Sequence, residues 1–294
     1  MNYYQEQLKR FQPQHLFFIG VDSDGCVFDT MELKQKECFC PVNIRVWGLQ
    51  PVAKYVRETV EFVNLYSKWR GMNRFPALLK VFDYLREREE VKTRGFKVPE
   101  LKGLRQWVDS GAPLGNASLA AAAASGDPDL KKALEWSNEV NEAIAAMVHG
   151  IPPFPYVKES LTKLSARADL VCVSQTPAET IEREWAEHGL SAIAAIIAGQ
   201  ESGTKQEQLR LAATGKYPVN HILMVGDAYG DLGAAKANGV LFYPINPGQE
   251  EVSWKRFYEE ALDRFFEEKY AGGYEAELIR EFRGYLPDTP PWQL

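Results

Sequence analysis

Short apolar runs bounded by turn-forming residues recur along the chain at Leu16–Val21, Leu170–Val173, Ile193–Ala198, His221–Val225 and Gly239–Tyr243. Each is about four to seven residues long and apolar nearly throughout, the pattern of a strand buried on both faces. Helical patterns separate the last four runs. Strand and helix alternating in this way predict an α/β fold with a doubly wound parallel sheet covered on both sides. Functional groups in such sheets gather beyond the carboxyl ends of the strands, and Asp22, Ser174 and Asp227 all fall there.

The first and second runs are far apart, and the stretch between them has a different period. Val52, Tyr55, Val56, Thr59, Val60, Val63 and Tyr66 keep helical spacing, as do Leu130, Ala133, Leu134, Val140, Ile144, Met147 and Val148. Ala120–Ala124 favours helix as well. "GIPPFP" then places three prolines within five residues, which no helix tolerates, and reads as a hinge back into the sheet. The predicted division is an α/β core of residues 1–30 and 151–294 and a mostly helical inserted domain of residues 31–150. Beyond the fifth run, Trp254, Phe257, Tyr258, Leu262, Phe265 and Phe266 form an amphipathic helix, and Tyr274, Leu278, Ile279 and Phe282 form another. Both are expected to pack on the core as a helical extension, with a self-association face as the alternative; the oligomeric state is open.

Charge narrows the partners. The 294 residues carry 34 basic and 40 acidic side chains, a net charge of −6, which argues against nucleic acid or an anionic membrane surface. The longest apolar runs fall well short of the roughly 20 residues that span a bilayer. The first fifteen residues lack an apolar leader core. A cytoplasmic location is the expectation. Four cysteines agree with it: Cys26 and Cys172 lie in or beside buried strands, and the Cys38/Cys40 pair has no second pair or nearby histidine to complete a zinc set.

The candidate chemistry begins in "FFIGVDSDGCVFDT", where a buried strand ends on Asp22 and Asp24. Two carboxylates that close resist burial unless something positive sits between them. A calcium loop of the EF-hand kind would need Gly and Glu where Val27 and Leu33 stand, so that reading fails. "ILMVGDAYGD" is a second apolar strand delivering acids, Asp227 and Asp231. Two acid-tipped parallel strands side by side would gather hard oxygen donors suited to Mg2+. "LVCVSQT" ends a third strand on the hydroxyl of Ser174, and "SGTKQEQL" sets Lys205 at a helix start, where its charge can offset carboxylates and a phosphoryl group.

This ordered set resembles the haloacid dehalogenase (HAD) superfamily: Asp22-Ser23-Asp24-Gly25, then Ser174, Lys205, and Gly226-Asp227 through Asp231. The resemblance covers residues 14–30 and 150–248, and "PPFPYVKESLTKL" is similar to that family's re-entry from its cap. It implies a Rossmann-like core with a helical cap between the first and second motifs. It also implies a magnesium-dependent phosphomonoester hydrolase acting on a small phosphorylated metabolite through an aspartyl phosphate. By the same resemblance Asp22 is the nucleophile and Asp24 the general acid and base. Ser174 and Lys205 bind phosphoryl oxygens. Mg2+ is held by Asp22, the backbone carbonyl of Asp24, Asp227, and a water on Asp231.

Asp24 disfavours dehalogenation, which lacks that second aspartate. In the cap, "WRGMNRFPALLKVF" is similar to the specificity loop of the beta-phosphoglucomutase-like branch, which nominates Arg74 and Arg70 for a second anionic group on the substrate. Gln175, next to Ser174, is the third candidate substrate-binding residue. A phosphomutase or other phosphotransferase, and a non-catalytic phospho-ligand-binding protein, are the alternatives.

Overall fold

A computed structural model describes residues 2–293, which divide into two compact units: residues 2–31 with 150–286, and residues 32–149 with 287–293. In the first unit five strands form one parallel sheet, β1 (Phe17–Val21), β2 (Ala168–Val173), β3 (Ile196–Ala198), β4 (Ile222–Gly226) and β5 (Leu241–Pro244), in the order β3-β2-β1-β4-β5. β1, β2 and β4 are buried along their whole length, which explains why their sequences do not alternate. Phe17, Ile19 and Val21 face one layer, built with Trp185, Trp254, Phe257 and Phe265. Phe18 faces the other, with Leu209, Ala212, Leu232 and Phe282. Trp254, Phe257, Phe265, Phe266 and Phe282 of the C-terminal helices are therefore core.

The chain builds outward from β1 on one side through β2 to β3, then returns to add β4 and β5 on the other. β1 pairs with β2 and with β4, so the reversal of winding falls at β1, the place where such sheets hold ligands. Three strands are shorter than their apolar runs suggest. Leu16 is three-quarters exposed and lies outside β1. The third run is cut because Ile193 N–H closes a turn on Leu190 O, leaving β3 to start at Ile196. Gly239 lies in the turn before β5, with a left-handed φ of 66°.

The second unit is helical with its own core. Its principal helices are Ala53–Asn64, Arg74–Glu87, Lys102–Asp109, Asn116–Ala123 and Pro128–Met147. They enclose Val56, Val60, Phe75, Leu78, Phe82, Leu104, Trp107, Trp136 and Val140. The sequence boundaries differ from the structure at the C-terminal end. Residues 287–293 leave the α/β unit and associate with the helical one. Trp292 packs edge-on against Phe62 and Tyr84, with ring centroids 5.4 and 6.1 Å away, and the buried Arg88 guanidinium lies 4.3 Å over its ring. Asp288 pairs with Lys68 at 3.1 Å. Nothing in the local pattern of "LPDTPPWQL" signals this, because its partners are more than two hundred residues away in sequence.

All four cysteines are buried and unpaired. Among the described residues no helix is long and apolar enough to cross a membrane.

Candidate active site

β1 and β4 are hydrogen-bonded neighbours, and Asp22 N–H extends their ladder by donating to Val225 O at 3.0 Å. That pairing brings the two acid-bearing strand ends together. Asp22, Asp227 and Asp231 are all buried and each offers a carboxylate oxygen within 4.8 Å of the others.

Asp231 is held by the turn it caps. Its Oδ2 accepts from the amides of Asp227 (3.2 Å) and Ala228 (3.0 Å) at the start of the helix Tyr229–Ala237. Gly226 makes room for this: a Cβ there would lie 2.4 Å from the Asp231 Cβ. The sequence signal was the glycine directly before Asp227.

Lys205 bonds two of the three carboxylates: its Nζ donates to Asp22 Oδ2 and to Asp231 Oδ1, both at 2.6 Å. Its place is fixed by a capping box. Thr204 Oγ1 accepts from Glu207 N–H, and Glu207 Oε2 accepts from Thr204 N–H, at the head of the helix Lys205–Ala212. One turn on, the buried Gln208 amide donates to the carbonyls of Ser174, Gly199 and Gly203. These bonds tie the loops after β2 and β3 to the lysine's helix. "TKQE" carried the capping signal in the sequence; Gln208 carried none.

Burial sets the electrostatics at this end. Burial pushes the Asp22 carboxyl well above the usual aspartate range; Lys205 opposes this, while Asp231 and Asp227 add to it. Asp231 is raised for the same reason, by burial first. Burial works against the charge of Lys205 too, yet Asp22, Asp231 and Asp227 hold its ammonium above its ordinary range. Three buried carboxylates whose oxygens lie within 4.8 Å of one another make a hard oxygen donor set. Those residues fit a divalent cation of the magnesium kind.

Asp24 stands apart from this trio. Its Oδ1 accepts from Thr30 Oγ1 at 2.5 Å and its Oδ2 from Thr176 Oγ1 at 2.7 Å. Neither threonine was singled out from sequence, although Thr30 closes the stretch "DSDGCVFDT" and Thr176 the stretch "VSQT". Ser23, between the two aspartates, points the other way and its Oγ accepts from Trp185 Nε1 at 3.0 Å in the core.

Ser174 follows β2, buried, and its amide donates to Ala198 O at 3.0 Å. Its Oγ accepts from Thr176 N–H at 3.2 Å. Gln175 is exposed and its amide donates to the carbonyls of Ser174 and Gly203. Cys26 is fully buried, as its place beside β1 suggested.

Arg70 and Arg74 belong to the helical unit. The buried Arg70 Nη1 donates to Leu65 O at 3.0 Å. Arg74 opens the helix Arg74–Glu87, and its Nη1 donates to Ser137 Oγ (3.0 Å) and Asn141 Oδ1 (2.7 Å) on the long helix Pro128–Met147. Burial pushes its guanidinium down to about 10.

No protein-family model matches the sequence, and no curated protein matches it closely enough to count. Solved structures do match. A predicted phosphoglycolate phosphatase from Lactobacillus delbrueckii subsp. bulgaricus is 13% identical, with 84% of this chain and 92% of that one covered and a TM-score of 0.50. A haloacid dehalogenase-like hydrolase from Bacteroides fragilis is 18% identical over 81% and 92% of the two chains, with a TM-score of 0.49. A haloacid dehalogenase-like family hydrolase from Streptococcus pneumoniae is 15% identical over 83% and 92%, with a TM-score of 0.43. At such identities the likeness is one of fold, and the chain has the haloacid dehalogenase-like fold, an α/β core with an inserted helical domain.

Proposed function

We propose that the protein is a magnesium-dependent phosphatase of a small phosphorylated metabolite, working through a phosphorylated Asp22. The observation that carries the proposal is Lys205 bridging Asp22 and Asp231 with Asp227 beside them, at the reversal of winding in the sheet. A solvated turn has no reason to bury three acids; a site that receives a cation and a phosphoryl group does.

In this reading one carboxylate oxygen of Asp22 attacks phosphorus in line with the ester oxygen, forming a new P–O bond as the ester bond breaks. Asp24 gives its proton to the departing oxygen, then takes one from the water that attacks the aspartyl phosphate. Lys205 and the hydroxyl of Ser174 hold phosphoryl oxygens, and Lys205 offsets charge on Asp22 throughout. Asp22, Asp227 and Asp231, with the Asp24 carbonyl, would hold magnesium, which when bound offsets the negative charge of the phosphoryl group. Arg74 is already engaged by Ser137 and Asn141, so hydrolysis is assigned without a second anion site there.

The test is phosphate release from a panel of small phosphomonoesters with and without magnesium. Asp22→Asn should lower turnover by at least about 10⁴-fold, the scale of losing a nucleophile that acts with its partners. Release that persists in that variant would sink the mechanism. No magnesium-dependent release from any ester would shift weight to phosphoryl transfer or to binding without turnover.

A further inference from the structure

Both carboxylate oxygens of Asp24 face a threonine hydroxyl. Thr30 is eight residues past Asp22 on the same loop, so its contact is local. Thr176 comes from the loop after β2, 152 residues from Asp24 in the chain. Its placement is built rather than incidental. The amide of Thr176 donates to Ser174 Oγ at 3.2 Å, and its carbonyl accepts from Gln200 N–H at 3.0 Å. Gly199 permits that approach, since a Cβ there would lie 2.7 Å from Thr176 O and 2.3 Å from Ala178 N. Three features of two loops thus serve to aim one hydroxyl at Asp24.

We infer that Thr176 is a positioning residue for Asp24, holding its carboxyl in the orientation needed to meet the leaving oxygen. The inference rests on the phosphatase reading above. A threonine hydroxyl suits the task because it both donates and accepts. Toward an ionised Asp24 it donates, as here. When Asp24 carries its proton, the Thr176 hydroxyl rotates and accepts or keeps donating to the other oxygen. No proton passes to or from Thr176 itself. The carboxyl is held in both states, and the proton that leaves Asp24 goes to the ester oxygen as the P–O bond to it breaks.

A residue that acts through the general acid matters in proportion to how much the leaving group needs a proton. The experiment compares kcat/KM for 2,4-dinitrophenyl phosphate, whose leaving group departs without protonation, and for phenyl phosphate, whose leaving group needs it. It is run with magnesium on wild type, Thr176→Val, Thr176→Ala and Thr176→Ser, with thermal melts alongside. The expected result is a loss of about 10²-fold on phenyl phosphate in Thr176→Val, the lower end for general acid catalysis. Dinitrophenyl phosphate should lose no more than about 3-fold, and Thr176→Ser should recover most of the phenyl phosphate rate. Thr176→Ala is read the same way and serves if the valine variant fails to fold. Equal losses on both esters, or failure of serine to rescue, would overturn the inference while leaving the phosphatase reading standing. Wild-type protein that turns over neither these esters nor any member of the phosphomonoester panel would overturn both.

Discussion

The same sheet holds buried aspartates at both of its ends, under opposite conditions. At the carboxyl end, Asp22, Asp227 and Asp231 cluster, Asp22 and Asp231 share the Lys205 ammonium, and burial pushes the carboxyls of those two up. At the amino end, Asp169 near the start of β2 accepts from the amides of Gln14 and His15 and from the Tyr217 hydroxyl, and it also meets His15 Nδ1 at 3.0 Å. Burial opposes its charge as well, but hydrogen bonds from Tyr217, His15 and the two amides win, and its carboxyl is held down. One acid is fully satisfied and pins the N-terminal segment and the loop before β4 to the sheet. At Asp22 and Asp231 burial wins over the lysine. A protein that built both ends from the same residue type therefore separates stability from chemistry by how many donors it supplies.

Removing compensation at each end should break the comparison differently. The largest effect is expected from Lys205→Ala, which strips the cation from two buried carboxylates. It should cost about 3–5 kcal/mol in denaturant unfolding, and a loss below about 1 kcal/mol would show that the acids are not under strain. Next comes the ion itself. Magnesium at about 100 times its dissociation constant should raise stability by about 2.7 kcal/mol in thermal or denaturant melts. Asp227→Asn should abolish most of that gain, while substitutions around Asp169 should leave it intact. A gain of equal size in Asp227→Asn would place the ion elsewhere.

The smallest effect is expected from Tyr217→Phe, which removes one hydrogen bond to a charged acceptor, about 1.5–3 kcal/mol at neutral pH, without touching turnover. Asp169 has a folded pKa below its unfolded value, so its contribution is present above about pH 4 and is lost as the pH falls through the depressed folded value. The gap between wild type and Tyr217→Phe should narrow between pH 7 and pH 3. A gap that stays constant would assign the loss to packing of the buried ring.

Much of the fold could be read from the sequence because the signals were local. A fully buried parallel strand is an unbroken apolar run, and all five runs became strands, trimmed where a turn or an exposed side chain intervened. The local signals for a sheet unit and a helical unit are the change of hydrophobic period near residue 31 and "GIPPFP". The tail's packing on Phe62, Tyr84 and Arg88 depends on aromatic and ionic partners that no window around residues 287–293 contains.

The site divides along the same line. The sequence alone determined that Asp22, Asp24, Ser174 and Asp227 stand at strand ends and that Lys205 opens a helix, since each is set by its own neighbours in the chain. Only the tertiary structure decided that β1 lies against β4, that Lys205 reaches both Asp22 and Asp231, and that Thr176 meets Asp24. Those relations join segments as much as 183 residues apart, and they exist because strand pairing and helix packing close distances that local pattern leaves open.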